Sequence, residues 1–394
     1  MVIAFENLFG AQYEGGANWL EVTLLGLGSL DHPPVCLVLG ASREILPETL
    51  RDAAHVRAVP LPDHVESRVS NLAQRVRRKV LRRPWEDAKI TRIATEYQVD
   101  FWVGFSGFNG LGAQRPLLVW YPDFQCRHFP ELFSTAEVRD RERQWNYIAD
   151  RADGIIVISQ SVADDALLSH PQISEKLHVC GFPPVFYDLV LRQDPDEIRL
   201  KYNLPERFFL VCNQFWQHKN HALVLDALSH LKRCGKVPPV IAFTGRPHDY
   251  RNPDAFSQLL RFMNQEGLND HCRFLGILPR DEQLALLRAC QAAIQPSRFE
   301  GRGAIGEEAT LLGTQLLCSD LPVHRELSLP GALFFSVDGV EELAELIMRS
   351  YPVSSRPNEE VIRESRRLAN VYGKQFMEIC EQVRGTWRRR VRAD

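Results

Sequence analysis

The chain has 394 residues, too many for one ordinary core, so two domains of roughly 150 to 200 residues are expected. A composition of 45% hydrophobic and 25% charged residues is that of a soluble globular protein. The net charge of −3 excludes a globally basic nucleic-acid binder and leaves only local basic patches open.

The first residues, Met1-Val2-Ile3-Ala4-Phe5-Glu6, lack the basic lead and apolar run of a secretory signal. No run approaches the length that crosses a bilayer, so a cytoplasmic location is expected, with any membrane contact peripheral. Short apolar runs then alternate with amphipathic segments, the pattern of strands and helices around parallel sheets. Strands are expected at Val2–Phe5, Val35–Leu39, Phe101–Phe105, Leu117–Tyr121, Ile155–Ser159 and Leu177–Val179. Gly181-Phe182-Pro183-Pro184 and the polar stretch to Arg199 read as a linker. Beyond it, strands are expected at Phe208–Cys212, Val240–Thr244, Cys272–Leu275, Ala292–Gln295, Gln315–Cys318 and Ala332–Phe335. The resulting fold class is α/β, with two Rossmann-like domains over 1–190 and 200–370 and an amphipathic helix over 371–394. Ligands of such sheets bind outside the carboxyl ends of the strands. Nine scattered cysteines, with Cys36, Cys212, Cys290 and Cys318 in apolar runs, read as reduced core thiols.

The richest segment is Phe299-Glu300-Gly301-Arg302-Gly303-Ala304-Ile305-Gly306-Glu307-Glu308, set between a strand ended by Pro296 and a helix expected to begin near Ala304. Gly301, Gly303 and Gly306 let backbone N–H groups approach a ligand, and the helix start adds partial positive charge suited to phosphate. Glu300 and Glu308 can accept hydrogen bonds from sugar or ribose hydroxyls. Phosphate and hydroxyls together point to a nucleotide sugar.

Four ordered segments carry a family resemblance. Ser297-Arg298-Phe299-Glu300-Gly301-Arg302-Gly303, continuing to Glu308 and Ala309, resembles the E-x7-E signature of the retaining glycosyltransferases of family 4, which have the GT-B fold with an interdomain cleft. Asn213-Gln214-Phe215-Trp216-Gln217-His218-Lys219-Asn220-His221 resembles that family's lysine-bearing loop, and Glu14-Gly15-Gly16-Ala17-Asn18-Trp19 its glycine-rich first loop. Gly313 to Glu326, with Ser319-Asp320-Leu321-Pro322, follows the family pattern after the signature. The resemblance implies an acceptor-binding first domain, a donor-binding second domain and a last helix that crosses back to the first.

By that resemblance Glu308 binds ribose hydroxyls and Glu300 hydroxyls of the transferred sugar. Lys219 and the helix start at Ala304 and Ile305 stabilise the departing diphosphate, which gathers charge at the transition state. Asn213 stands where relatives often carry arginine, so the charge falls more heavily on Lys219, with Arg246 or Arg298 as helpers. Asp123, in Trp120-Tyr121-Pro122-Asp123, ends a strand where relatives place a residue facing the sugar, and His128 is a second candidate there. His218 and His221 have H-x-x-H spacing without a third ligand, so loop ordering is expected of them rather than metal binding.

The implied activity is retaining transfer of a hexose, mannose among the choices, from a nucleotide diphosphate sugar to a glycan or lipid-linked acceptor in cell-surface polysaccharide or glycolipid synthesis. No Asp-x-Asp pair presents itself, so neither metal nor other cofactor is expected. The competing readings are a nucleotide-sugar epimerase, a phosphorylase, a glycoside hydrolase with paired carboxylates, and a scaffold that binds nucleotide sugar without turnover. No pyridoxal-binding lysine can be located for the phosphorylase. Between Arg68 and Arg83 seven basic residues occur with no acid, and Arg384, Arg388, Arg389, Arg390 and Arg392 form a second cluster beside Trp387. Peripheral contact with an anionic membrane through Arg75–Arg83 and Arg388–Arg392 competes with a solvated charged face. No aromatic platform accompanies the charges, which argues against nucleic acid.

Overall fold

Parallel strands in two sheets organise the computed structural model, which describes residues 1–9, 14–60, 88–105, 115–349, 351 and 355–393. Two compact units result. The first comprises Met1–Phe124, Ser134–Phe182 and Ala369–Asp394, and the second Gln125–Phe133 and Pro183–Leu368.

The first sheet contains β1 (Val2–Glu6), β2 (Val35–Leu39), β3 (Val56–Val59), β4 (Phe101–Phe105), β5 (Leu117–Tyr121), β6 (Gly154–Val157) and β7 (Leu177–Val179), ordered β3-β2-β1-β4-β5-β6-β7. The second contains β8 (Phe208–Cys212), β9 (Val240–Thr244), β10 (Cys272–Gly276), β11 (Ala292–Gln295), β12 (Leu316–Ser319) and β13 (Leu333–Phe335), ordered β10-β9-β8-β11-β12-β13. Strand order reverses between β1 and β4 and between β8 and β11. These are the topological switch points, where the loops leaving adjacent strands diverge and open a crevice.

Strand β8 shows why such runs are uniformly apolar. Phe208, Leu210 and Cys212 enter the core on one face of the second sheet, while Phe209 and Val211 enter the core on the other. Helices cover both faces, so alternate side chains all leave water.

Several segments differ from expectation. Strand β3 was not expected, because Val56-Arg57-Ala58-Val59 is a sheet edge with only Val59 buried and so lacks an apolar run. The sixth strand ends at Val157, because Ser159 turns away to accept the Val162 N–H at 3.2 Å and cap the next helix. The stretch read as a linker is folded: Phe186 and Val190 lie in the second unit's core, and Asp194 caps the helix Pro195–Lys201 by accepting from the Asp196 and Glu197 N–H groups.

The last helix runs from Asn358 to Ala393, starting well before the expected residue 371. Its latter part belongs to the first unit, where Tyr372 Oη lies 2.9 Å from Thr23 Oγ1 in a buried hydrogen bond. A Cβ on Gly373 would stand 2.2 Å from the Gly26 carbonyl oxygen, so this helix meets Glu14–Gly28 backbone to backbone. Of the nine cysteines, all free thiols, eight are buried and Cys234 is exposed. The stretch Arg68–Arg83 lies outside the described residues.

Candidate functional site

At the switch point of the second sheet, the loops after β8 and β11 bring Lys219 and Glu300 together. Lys219 Nζ stands 2.6 Å from Glu300 Oε1, with the two side chains 14% and 9% exposed. The same oxygen accepts from Gln295 Nε2 and Ser297 Oγ, each at 2.6 Å. Asn213 joins at the rear, its Nδ2 donating to Gln295 Oε1 at 3.4 Å. Burial pushes the Glu300 pKa up, but the charge and hydrogen bond of Lys219, with the Ser297 hydroxyl, outweigh it and hold the carboxyl below its usual range. An ionised acceptor thus sits beside a fixed cation.

The lysine loop is ordered by its neighbours rather than by regular structure. Asp249 Oδ2 accepts the Gln217 N–H at 3.0 Å, and the His218 carbonyl accepts the Arg298 N–H at 2.8 Å, tying this loop to the one that bears Glu300. Asn220 takes a left-handed conformation, with φ 55°, and its Nδ2 donates to the Val337 carbonyl at 3.0 Å. His221 stacks on Phe215 with ring centroids 4.2 Å apart, and burial drives its pKa down to about 3. Burial also drives His218 well down. Both histidines are neutral parts of the packing.

The helix Ala304–Leu312 begins on Gly303, whose φ of 86° favours glycine, and no side chain caps that end. A Cβ on Gly303 would lie 2.9 Å from His324 Nε2. Burial lowers the pKa of His324, and the 2.7 Å contact of Nδ1 with the Ser319 carbonyl assigns the proton to Nδ1. Its Nε2 is then an acceptor, buried without a partner among the described residues. One turn into the helix, Arg302 clamps Glu307 through two bonds of 2.7 Å. Burial raises the pKa of Glu307 against the pull of Arg302. Arg280, at the start of another helix, pairs with Glu308 Oε1, while Glu308 Oε2 is buried with no partner among the described residues.

The structure therefore gathers Lys219, Glu300, Asn213, Gly301, Gly303, Ala304, Ile305 and Glu308 around the ends of β8 and β11 and the helix that follows. Arg246 ends up exposed beyond β9, joined to the Asn213 loop through its backbone, whose N–H Gln214 Oε1 accepts at 3.0 Å and whose carbonyl accepts the Phe215 N–H at 3.2 Å. Arg298 pairs with Asp338 at 2.7 Å on the surface, so it is already neutralised. In the first unit, Gly15 and Gly16 open the helix Glu14–Gly28 and Asp123 follows β5, all at the carboxyl edge of that sheet. His128 belongs to the segment counted with the second unit, where its ring lies 5.1 Å from that of Phe299, next to Glu300.

Sequence reasoning missed Gln295, Ser297, Arg280, Arg302 and His324. Gln295 carried a usable signal, a polar residue closing an otherwise apolar buried strand. It also missed Glu6, which closes β1 at the first unit's own switch point and accepts the Phe105 N–H at 2.7 Å. Burial raises the Glu6 pKa to about 7, with the Phe105 N–H opposing the rise. Among the described residues no three His, Cys, Asp or Glu side chains converge on one point. No described helix is long and apolar enough to cross a membrane.

Residues 194–358 match the family described as glycosyl transferases group 1. The serotype-specific mannosyltransferase WbdA of Escherichia coli is 26% identical over 252 residues, which is 60% of this chain and 30% of that protein. The O-antigen chain mannosyltransferase RfbU of Salmonella typhimurium is 25% identical over 209 residues, 50% of this chain and 54% of that protein. The chain thus matches only about a third to a half of the length of these curated relatives. Among solved structures, sucrose-phosphate synthase from Thermosynechococcus elongatus has a TM-score of 0.63 at 16% identity, covering 98% of this chain and 95% of that one. Anabaena Alr3699/HepE in complex with UDP-glucose has a TM-score of 0.62 at 18% identity, covering both chains in full at 100%. The likeness to these solved structures fixes the fold as GT-B.

Proposed function

We propose that this chain, with its glycosyltransferase group 1 domain, moves a hexose from a nucleoside diphosphate sugar to a glycan or lipid-linked acceptor in cell-surface polysaccharide synthesis, with retention of configuration. The observation that carries the reading is the Lys219–Glu300 pair at the β8/β11 switch point, beside the uncapped helix end at Gly303. Mannose is the hexose of choice, in keeping with the mannosyltransferase relatives.

Each group has a role that follows from its chemistry. The departing diphosphate gathers negative charge as the sugar bond breaks, and Lys219 with the N–H groups of Ala304 and Ile305 stabilises that charge most at the transition state. Glu300, ionised and held by three donors, accepts hydrogen bonds from the hexose hydroxyls. Glu308 offers its unpartnered Oε2 to the ribose, with Arg280 fixing the other oxygen. Asn213 gives polar contact through Gln295 without charge. Gly15 and Gly16 are assigned to donor binding, and Asp123 to catalysis. This assignment needs no metal, because Lys219 and the helix end supply the positive charge. We place the enzyme at the cytoplasmic face of a membrane, with the exposed Arg388 and Arg389 toward anionic lipid.

The test begins with thermal shifts in UDP, GDP, dTDP and ADP, followed by turnover of the matching sugar nucleotides with saccharide acceptors. Wild-type protein should be stabilised by one diphosphate and turn over its sugar, and Glu300→Ala and Lys219→Ala should each lose transfer. Stabilisation without turnover would favour a nucleotide-sugar-binding scaffold. Turnover undiminished in both variants would overturn the roles given to them.

A further inference from the structure

The opposite edge of the first sheet, away from the strand ends discussed so far, holds a cavity of 390 Å³. It is lined by Thr95, Gln98 and Asp100 before β4, by Arg115 and Pro116 before β5, and by Arg384, Trp387 and Arg388 of the last helix. Its volume lies within the usual range for small-molecule sites. Spacing i, i+3, i+4 puts Arg384, Trp387 and Arg388 on one face of that helix.

Charge is the distinctive property of this cavity. Three arginines line it against the single acidic residue Asp100, one oxygen of which already accepts the Val2 N–H at 2.9 Å. Arg115 is anchored by its Nε, which donates to the Val99 carbonyl at 2.7 Å, so its terminal nitrogens are set in place. The neighbouring Arg390 pairs with Asp153 at 2.7 Å. Arg384 and Arg388 have no carboxylate within ion-pairing distance among the described residues. The Trp387 indole N–H is buried and likewise finds no acceptor among them. Arginines around one cavity with a spare N–H donor are complementary to a phosphate group, whose oxygens take several charge-assisted hydrogen bonds at once.

We propose that this cavity is a second anion site, separate from the donor site, that takes the phosphate of a phosphomonoester or diphosphate. The proposal stands independently of the transferase reading, since it concerns binding alone at a different edge of a different unit. Two sources of that chemistry exist, a soluble phosphate compound and a lipid headgroup, and two arms tell them apart.

In the first arm, inorganic pyrophosphate is titrated calorimetrically into wild-type protein and into Arg384→Gln/Arg388→Gln. Any donor-site binding is common to both, so the component lost in the double variant belongs to the cavity, and its affinity should fall at least tenfold. Arg384→Lys/Arg388→Lys should recover part of it, and Trp387→Phe, which keeps the ring and deletes the donor, should weaken it severalfold. In the second arm, the same proteins are sedimented with phosphatidylglycerol/phosphatidylcholine vesicles. A pyrophosphate component that depends on the arginines identifies a soluble phosphate. Vesicle binding that depends on Arg384 and Arg388, without such a component, identifies a headgroup. Circular dichroism and melting midpoints equal to wild type exclude misfolding as the cause of either loss. If neither pyrophosphate nor vesicle binding differs between wild type and the double variant, the site does not exist.

Discussion

Replacing Glu6 by glutamine gives the sharpest test of the first unit. Glu6 ends β1, and its Oε2 accepts the Phe105 N–H at 2.7 Å, a bond the glutamine carbonyl can keep. Burial raises its pKa from 4.5 to about 7. At about 1.4 kcal/mol per pH unit, ionising this carboxyl in the folded state costs about 3 kcal/mol relative to the unfolded chain. The sign follows from proton binding. Below pH 4.5 both states hold the proton and the stability is fully present. As the pH rises toward 7 the unfolded chain releases the proton while the folded protein keeps it, so stability is lost across that window and levels off above it. Glu6→Gln has no proton to lose, so relative to wild type it should gain about 3 kcal/mol between pH 4 and pH 8. Urea unfolding at a series of pH values, followed by tryptophan fluorescence, reads this directly, because the buried Trp19, Trp102, Trp120 and Trp145 all lie in the same unit. A stability difference that stays flat with pH would refute the argument.

Lys219→Met should destabilise by about 3–5 kcal/mol because it strands Glu300 in a buried site, and the double variant with Glu300→Gln should recover most of that loss. Strictly additive losses in denaturant midpoints would mean the pair is not coupled. Gly303→Ala must adopt a φ of 86° and crowd His324 Nε2, so the melting midpoint and the thermal shift with diphosphate should both drop, at a cost of about 1–3 kcal/mol. An unchanged midpoint would contradict that geometry. His221 has a folded pKa of about 3 against the usual 6.5, so the unfolded chain binds its proton first and stability is lost as the pH falls below 6.5. His221→Phe, which can keep the stack on Phe215, should flatten that acid limb, and an unaltered limb would assign it to other groups. Transfer should persist in chelating buffer, and loss restored by added magnesium would show that Lys219 and the helix end do not suffice.

The parallel sheets were legible because buried strands such as Phe208–Cys212 are apolar on both faces, whereas the edge strand β3, with Arg57 exposed, leaves no such mark. Glu300 was legible from its glycine-rich strand-to-helix segment and Lys219 only through its loop's resemblance to the family's, while the switch-point rule accounts for the meeting of the two loops. Ser297 and Gln295 lie beside Glu300 in the chain, yet their convergence on one carboxylate oxygen is a matter of side-chain direction that spacing does not carry. Arg280 and His324 come from helices 28 residues before Glu308 and beyond the signature respectively, and only the packing of those helices delivers them. The helpers proposed for the charge, Arg246 and Arg298, fit by sequence proximity alone, and Arg298 is neutralised by Asp338.

The backbone contact of Gly373 with Gly26 bears on the order in which the chain is made. Residues 369–394 complete the first unit but leave the ribosome only after the whole of 183–368. Until they arrive, the surface that receives Tyr372, Phe376, Ile379, Cys380 and Val383, all buried in the finished protein, stands open on the first sheet. Phe5, from β1, waits for Phe376, with which it ends in a stacked pair at 6.2 Å. Contacts so distant in sequence form slowly, and the exposed apolar surface invites association meanwhile. During synthesis the second unit is thus able to finish before the first, and the sheet made ahead of it is closed after it.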